Sequence, residues 1–332
     1  MHNFIANDTH FFYREGKWLV MSTNESSIHF IDTFTGEEKK KLFAKADGTG
    51  NVKFTHHESC VLFSSDRNNS DIKYLCAYDN RYLRYFKGHT DKVTSISMNP
   101  CDDCFLSSSL DKSICLWNLS MPNPIAKLQL PGRFDCPYAT FDASGMVFGV
   151  LCQDMYTRNH QLKLFDARQF DAGPFQEILP EQSLLENAIR TASPEWTPAQ
   201  ISKSLDCTWN QFEFSPDGNH ILVNTQSDLL LVLDGFRSDI EPLAITTRKN
   251  DTSMKLGSCM TPTAKYVVTA SDDNEILLYD FKNEENGKMK TKLCGLLTGH
   301  VSPVGCIACN PKYDVMATSC VNTVLWIPKV IV

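Results

Sequence analysis

Between Arg81 and Leu119 the chain reads RYLRYFKGHTDKVTSISMNPCDDCFLSSSLDKSICLWNL, and no other stretch constrains the fold as tightly. Gly88-His89 precedes a β-alternating run from Val93 to Met98, a turn follows at Asn99 to Asp103, and a second run spans Phe105 to Ser109. Asp111 marks the next turn, and a third run from Ser113 to Leu116 closes on Trp117-Asn118. Short strands joined by tight turns make an antiparallel meander. Across it the imidazole of His89 can reach the carboxylate of Asp111, while a hydroxyl among Ser107 to Ser109 and the indole N–H of Trp117 extend the chain of bonds. A buried polar group left unpaired costs ~1–3 kcal/mol, so this set reads as a structural clip ahead of any chemistry.

The order Gly-His, strand, turn, strand, Asp-turn, strand, Trp-Asp-like dipeptide resembles a WD-repeat propeller blade, a unit that recurs every ~40–45 residues. With that blade as a ruler the chain divides into seven. The first three units run from about Ile5 to Phe43, Ala44 to Lys87 and Gly88 to Leu130. Three more open on YATFD, FEFSPDG and KLGSCMT, and the last opens on the second Gly-His pair, Gly299-His300, which makes His300 a further clip residue. Elsewhere the dipeptide slot holds Ile31-Asp32, Tyr78-Asp79, Phe165-Asp166, Leu233-Asp234 and Tyr279-Asp280, where an apolar wedge survives without the polar clip. The fold expected is all-β: a seven-bladed WD-repeat β-propeller forming a single domain over 1–332.

One segment interrupts the pattern between units four and five. Residues 181–206 read EQSLLENAIRTASPEWTPAQISKSLD, with Leu184, Leu185 and Ile189 at helical spacing. Ser193-Pro194 and Thr197-Pro198 each look like a cap followed by a first-turn proline, so a short helical or mobile insertion is expected. It is read either as a partner-binding or lid element or as a decoration that binds nothing.

Net charge of −7 argues against a surface built mainly for nucleic acid or anionic membrane, and direct nucleic-acid binding is not expected. Tyr82, Arg84 and Tyr85 offer stacking and charge, but packing along an outer strand is the better reading. The odd count of 13 cysteines, without framework spacing, points to reduced thiols and not to disulfides. Cys101/Cys104 and Cys306/Cys309 have the spacing of zinc half-sites; the second pair lies in a predicted strand, where an odd offset sends the thiols to opposite faces, so no metal is expected. No apolar run reaches ~18 residues, and MHNFIANDTHFF does not read as a signal peptide.

The runs IKYLCAYDNRYLRYFKGH, SLDKSICLWNL, LKLFDARQFDAGPF and NPKYDVMATSCVNTVLWIP together resemble the WD-repeat subunit shared by three assemblies: the COMPASS-type histone lysine methyltransferase, the yeast cleavage and polyadenylation machinery, and the animal nuclear phosphatase-1 complex. The resemblance covers nearly the whole chain apart from the amino terminus and the insertion. Asp79 to Phe86 and Arg168 to Phe175 are blocks that generic WD motifs would not specify. It implies a nuclear, non-catalytic scaffold that docks the methyltransferase catalytic subunit and links it indirectly to RNA polymerase II. In other assemblies it implies cleavage/polyadenylation or phosphatase-1 partners and a role in transcription termination. It also implies that a strand from the amino terminus completes the last blade. Here the first unit already begins by about Ile5, so Thr323 to Trp326 is expected to present an edge. A longer chain upstream is the favoured explanation, with a partner strand or residues 329–332 as alternatives.

Nothing in the sequence matches a nucleophile elbow, a phosphate-cradling loop or a metalloprotease His pair, so neither a catalytic residue nor a cofactor is expected. The residues alone support a scaffold with several binding faces, and an adaptor or substrate receptor of another complex, such as a ubiquitin ligase, is the alternative. Arg67, Lys92, Lys112 and Trp196 are the candidate partner contacts, because Asp-turns and outer-to-inner connections share one side of such a fold.

Overall fold

The structure is a computed structural model that describes residues 5–11, 15–67, 70–179, 182–235, 242–285 and 288–328. It contains seven antiparallel sheets, the blades of a seven-bladed β-propeller. Blade one is β1 (Ala6–Phe11), β2 (Trp18–Thr23), β3 (Ser27–Asp32) and β4 (Glu38–Phe43). Blade two is β5 (Val52–Phe54), β6 (Cys60–Ser64), β7 (Ile72–Cys76) and β8 (Arg81–Phe86). Blade three is β9 (Val93–Met98), β10 (Cys104–Ser109), β11 (Ser113–Asn118) and β12 (Ala126–Gln129). Blade four is β13 (Phe134–Phe141), β14 (Val147–Asp154), β15 (His160–Asp166) and β16 (Gln176–Ile178). Two helices follow, α1 (Gln182–Ala192) and α2 (Pro198–Leu205). Blade five is β17 (Trp209–Phe214), β18 (His220–Thr225), β19 (Leu229–Asp234) and β20 (Ala244–Thr247). Blade six is β21 (Ser258–Met260), β22 (Tyr266–Ala270), β23 (Ile276–Glu285) and β24 (Lys288–Leu297). Blade seven has three strands among the described residues: β25 (Cys306–Cys309), β26 (Met316–Ser319) and β27 (Thr323–Trp326). Residues 329–332, one candidate for completing that blade, lie outside the described residues.

The chain divides into two compact units, Met1–Leu130 with Gly305–Val332, and Pro131–Val304. In both, the middle strands are covered on both faces. Strands β6, β10 and β18 are buried almost throughout, whereas the outer strand β8 alternates between exposed and half-buried residues. A strand covered on both faces must be apolar or hydroxyl-bearing in both registers, which is why these strands read as unbroken runs and not as alternations. In the first unit Phe63, Phe105 and Trp117 are fully buried, and Phe105 lies stacked on Trp117 with ring centroids 6.0 Å apart.

After Asp166 the chain leaves β15 and forms a 3-10 helix, Ala167–Ala172, capped by the Asp166 carboxylate, which accepts from the Arg168 N–H and guanidinium. One local reading is corrected. Ser193-Pro194 ends the first helix and does not begin one: the Ser193 N–H donates to the Ile189 carbonyl, and the Trp196 N–H donates to Ser193. Thr197-Pro198 does open α2, with a reciprocal capping box between Thr197 and Gln200. Leu185, Ile189 and Ile201 pin the helical pair to blades four and five in one apolar cluster with Leu162, Phe212 and Leu231. Burying each such side chain contributes ~1.5–3 kcal/mol.

Candidate partner-binding site

In blade three the polar groups form one chain. The Trp117 indole N–H donates to Ser107 Oγ at 2.8 Å, and Ser107 Oγ lies 2.6 Å from His89 Nε2. On the other side of the ring, His89 Nδ1 is 3.0 Å from Ser113 Oγ and 3.3 Å from Asp111 Oδ2. Ser113 Oγ in turn donates to Asp111 Oδ1 at 2.5 Å. Because Nδ1 faces the Asp111 carboxylate, which can only accept, the hydrogen of a neutral His89 is assigned to Nδ1, and Ser107 donates to Nε2. Burial lowers the pKa of His89 despite the opposing pull of Asp111. Burial raises that of Asp111, but bonds from the Ser113 hydroxyl and from the Thr90 and Ser113 N–H groups outweigh it, and the net shift is downward. The glycine before His89 has a steric reason: a Cβ on Gly88 would meet the Trp117 ring at 2.8 Å.

Blade seven repeats half of this device. Trp326 Nε1–H donates to Thr318 Oγ1 at 2.7 Å, in the same register as Trp117 over Ser107. Its turn between Ser319 and Thr323 carries no aspartate. His300 is buried in the segment after β24. Neither Thr318 nor Trp326 stood out in the sequence as a clip pair, since the usual Asp-turn signature is missing.

The candidate basic contacts lie in the first unit. Arg67 is exposed in the β6–β7 turn, donating from its N–H to the Asp47 carbonyl and from its guanidinium to the Lys45 carbonyl. Lys92 is exposed at the start of blade three, and its carbonyl accepts from the Leu110 N–H. Lys112 follows in the same turn, half-buried and with φ at +66°, a left-handed conformation that a side chain adopts only at a cost. All three therefore sit where a blade's second turn meets the incoming connection. Trp196 belongs to the second unit. It is half-buried against the Leu185, Ile189 and Ile201 cluster, so much of its indole anchors the helical pair. Tyr82 and Arg84 are half-buried, and Lys73 lies over the rings of Tyr82 and Tyr85.

The second unit holds a buried cation that sequence reading passed over. Arg248 donates to Asn224 Oδ1 and Thr269 Oγ1, each at 2.9 Å, and to the carbonyls of Thr225 and Ser227 at 2.6 and 3.4 Å. Burial lowers its pKa to about 10, so the guanidinium stays charged at neutral pH. Between Thr247 and Lys249 it carries no motif, and a lone arginine ordinarily reads as surface charge. Among the described residues no three His, Cys, Asp or Glu side chains come together to hold a metal ion, and no helix is long and apolar enough to cross a membrane.

The family described as WD domain, G-beta repeat, matches residues 80–118, which run from the outer strand of blade two through the clip strands β9 to β11 of blade three. Along the whole chain, WD repeat-containing protein 82 of Drosophila melanogaster is 30% identical over 318 residues, covering 96% of this chain and 89% of that protein. The chain belongs to the WD repeat-containing protein 82 family. Two further similar proteins are the Set1 complex component swd2 of Schizosaccharomyces pombe, 30% identical over 83% of this chain and 72% of its own length, and the COMPASS component SWD2 of Saccharomyces cerevisiae, 28% identical over 92% and 85%. In this member of the WD repeat-containing protein 82 family the similarity runs along most of the chain and not only along the single repeat that the WD domain match covers.

Proposed function

We propose that this protein is a non-catalytic scaffold subunit of a COMPASS-type histone lysine methyltransferase complex, acting in the nucleus to hold the catalytic subunit and to link it to RNA polymerase II transcription and termination. The observation that carries this reading is the near full-length similarity to relatives named as components of the Set1 complex and of COMPASS. The geometry is compatible with it. Trp117 spends its hydrogen bond on Ser107, and His89 spends its own on Ser107, Ser113 and Asp111, which suits a clip better than a reaction centre. His300 is assigned the same structural role in this proposal.

Purification of the tagged protein with mass spectrometry tests the reading. The methyltransferase catalytic subunit is expected among the co-purifying chains; ubiquitin-ligase subunits in its place would favour the adaptor alternative. Arg67, Lys92 and Lys112 are proposed contacts, so their joint replacement by glutamate should weaken co-purification. Exposed charges contribute little to stability, so the Arg67→Glu, Lys92→Glu pair should leave the melting curve close to wild type, and any further loss in the triple variant is assigned to the half-buried Lys112. Unchanged recovery would remove that surface from the proposal.

A further inference from the structure

The sequence holds five Ser-Pro or Thr-Pro dipeptides, with hydroxyls at Ser193, Thr197, Ser215, Thr261 and Ser302. The dipeptide is the acceptor pattern of proline-directed protein kinases, and it is short enough that the fold decides which hydroxyl such an enzyme can reach. Four of the five are held in the structure. Ser193 and Ser215 are 3% and 0% exposed. The Ser193 N–H donates to the Ile189 carbonyl at the end of α1, and Ser215 Oγ accepts the His220 N–H at 2.9 Å. Thr261 is half-buried, with Oγ1 accepting the Tyr266 N–H at 3.1 Å across the β21–β22 turn. Ser302 is half-buried between His300 and Val304, both of them buried. A kinase grips several residues on each side of its acceptor, so use of any of these four pulls buried groups out of the fold.

Thr197 differs in each respect. It is exposed, and from Pro194 to Gln200 every residue is exposed apart from the half-buried Trp196. Its backbone is already extended, at φ −72° and ψ 154°, as the proline that follows demands. Its hydroxyl is tied to Gln200 in the first turn of α2, and a terminal helical turn opens at far lower cost than a core strand. The cleft between the helical pair and the β14–β15 turn is lined from α2 by Ser202 and Leu205, so Thr197, at the other end of that helix, stands clear of it.

The fold also suits the product. Pro198 has no N–H, and the Ile201 N–H donates to the Thr197 carbonyl, which leaves the N–H groups of Ala199 and Gln200 outside the helical ladder. A phosphate on residue 197 offers acceptors for both, at the positive end of the helix dipole. Glu195, exposed two residues earlier, opposes the new charge only through solvent.

We propose that Thr197 is a phosphorylation site for a proline-directed kinase, and that the modification turns the neutral cap of α2 into an anionic one. Thr197 Oγ1 attacks the γ-phosphorus of ATP. The bond from that phosphorus to the β,γ-bridging oxygen breaks, ADP leaves, and the hydroxyl proton passes to a base of the kinase. The insertion then carries about two negative charges at its exposed end, held by a folded element.

The test treats the purified full-length protein with magnesium, ATP and two proline-directed kinases, one of the cyclin-dependent and one of the mitogen-activated class. Peptide mass spectrometry then maps the phosphoryl groups. Synthetic peptides spanning the five dipeptides are treated alongside as acceptors without a fold. Thr197 is expected to be the main acceptor in the protein, whichever peptides are modified. Thr197→Val should remove nearly all incorporation, and Thr197→Ser, which keeps the cap, should retain it. Phosphorylation should slow amide hydrogen exchange at Ala199 and Gln200 by roughly two- to fivefold. If neither kinase modifies the peptide around Thr197, or if that peptide is modified while the folded protein is not, the site is overturned. Comparable incorporation at Ser193 or Ser215 in the folded protein overturns selection by the fold. Unchanged or faster exchange at Ala199 and Gln200 overturns the anionic cap.

Discussion

Blade three and the blade five to six region solve the same problem with different chemistry. Each must keep buried polar groups paired while a turn is held against neighbouring strands. Blade three does so with a relay from Trp117 through Ser107 and a neutral His89 to Ser113 and the Asp111 carboxylate. The other region does so with one guanidinium that reaches Asn224, Thr225, Ser227 and Thr269. The relay is built from residues close in sequence, within a single meander and its entry loop. The guanidinium collects partners from β18, its following turn and β22 of the next blade. A fork of five donors spans that gap where an imidazole with two nitrogens would not.

Breaking the apolar anchor of the relay should cost most. Trp117→Ala removes a fully buried indole and is expected to destabilise the protein by ~3–5 kcal/mol, read as a lowered denaturation midpoint. Arg248→Met tests the other side of the comparison. It strands several buried acceptors and should cost about 3 kcal/mol in the same measurement, given the ~1–3 kcal/mol penalty of a single unsatisfied group. Arg248→Lys should recover less than half of that loss, because an ammonium cannot reproduce the fork. Full rescue by lysine would show that charge, and not geometry, holds the region.

Ser107→Ala should cost ~1–3 kcal/mol, since both Trp117 and His89 lose a partner in a buried setting. Thr318→Ala, which removes the corresponding acceptor in blade seven, should cost only ~0.5–1.5 kcal/mol, because Thr318 is buried but the Trp326 indole is half-buried and its N–H has solvent within reach. Comparable losses from the two would mean that the half-device in blade seven is as protected as the full one.

Acid gives the finest distinction. The folded pKa of His89 is lowered, so the stability it contributes is complete above the unfolded value of about 6.5 and is lost as pH falls toward the folded value. Arg248 keeps its proton throughout this range and adds no slope. Melting temperature should therefore fall more steeply between about pH 7 and pH 5 in wild type than in His89→Gln, whereas Arg248→Met should retain the wild-type slope. Parallel curves for wild type and His89→Gln would exclude His89 as a source of that acid sensitivity.

Legibility followed the distance between partners along the chain. Gly88-His89, Asp111 and Trp117 were readable because a meander brings them together almost regardless of context. Ser113, the link between His89 and Asp111, was not singled out, since one serine among several carries no signal. The helical insertion was visible in the spacing of Leu184, Leu185 and Ile189. Packing then selected Leu185 and Ile189 for burial and left Leu184 exposed. The cleft beside that insertion had no sequence signature, because its walls come from two helices, a turn and the approach to a strand.

By itself the sequence determined the strand-and-turn rhythm, the blade count and the place of the insertion. Those features follow from local steric preferences and from the period of apolar residues, which act within a few residues. Tertiary structure alone decided that Arg248 is a buried structural cation, that Trp326 leans on Thr318, that Trp196 anchors the helical pair and that a cleft lies between that pair and the β14–β15 hairpin. In each case the outcome depends on groups from separate strands or helices meeting in a space that one-dimensional spacing does not encode. Desolvation there makes an unpaired polar group costly.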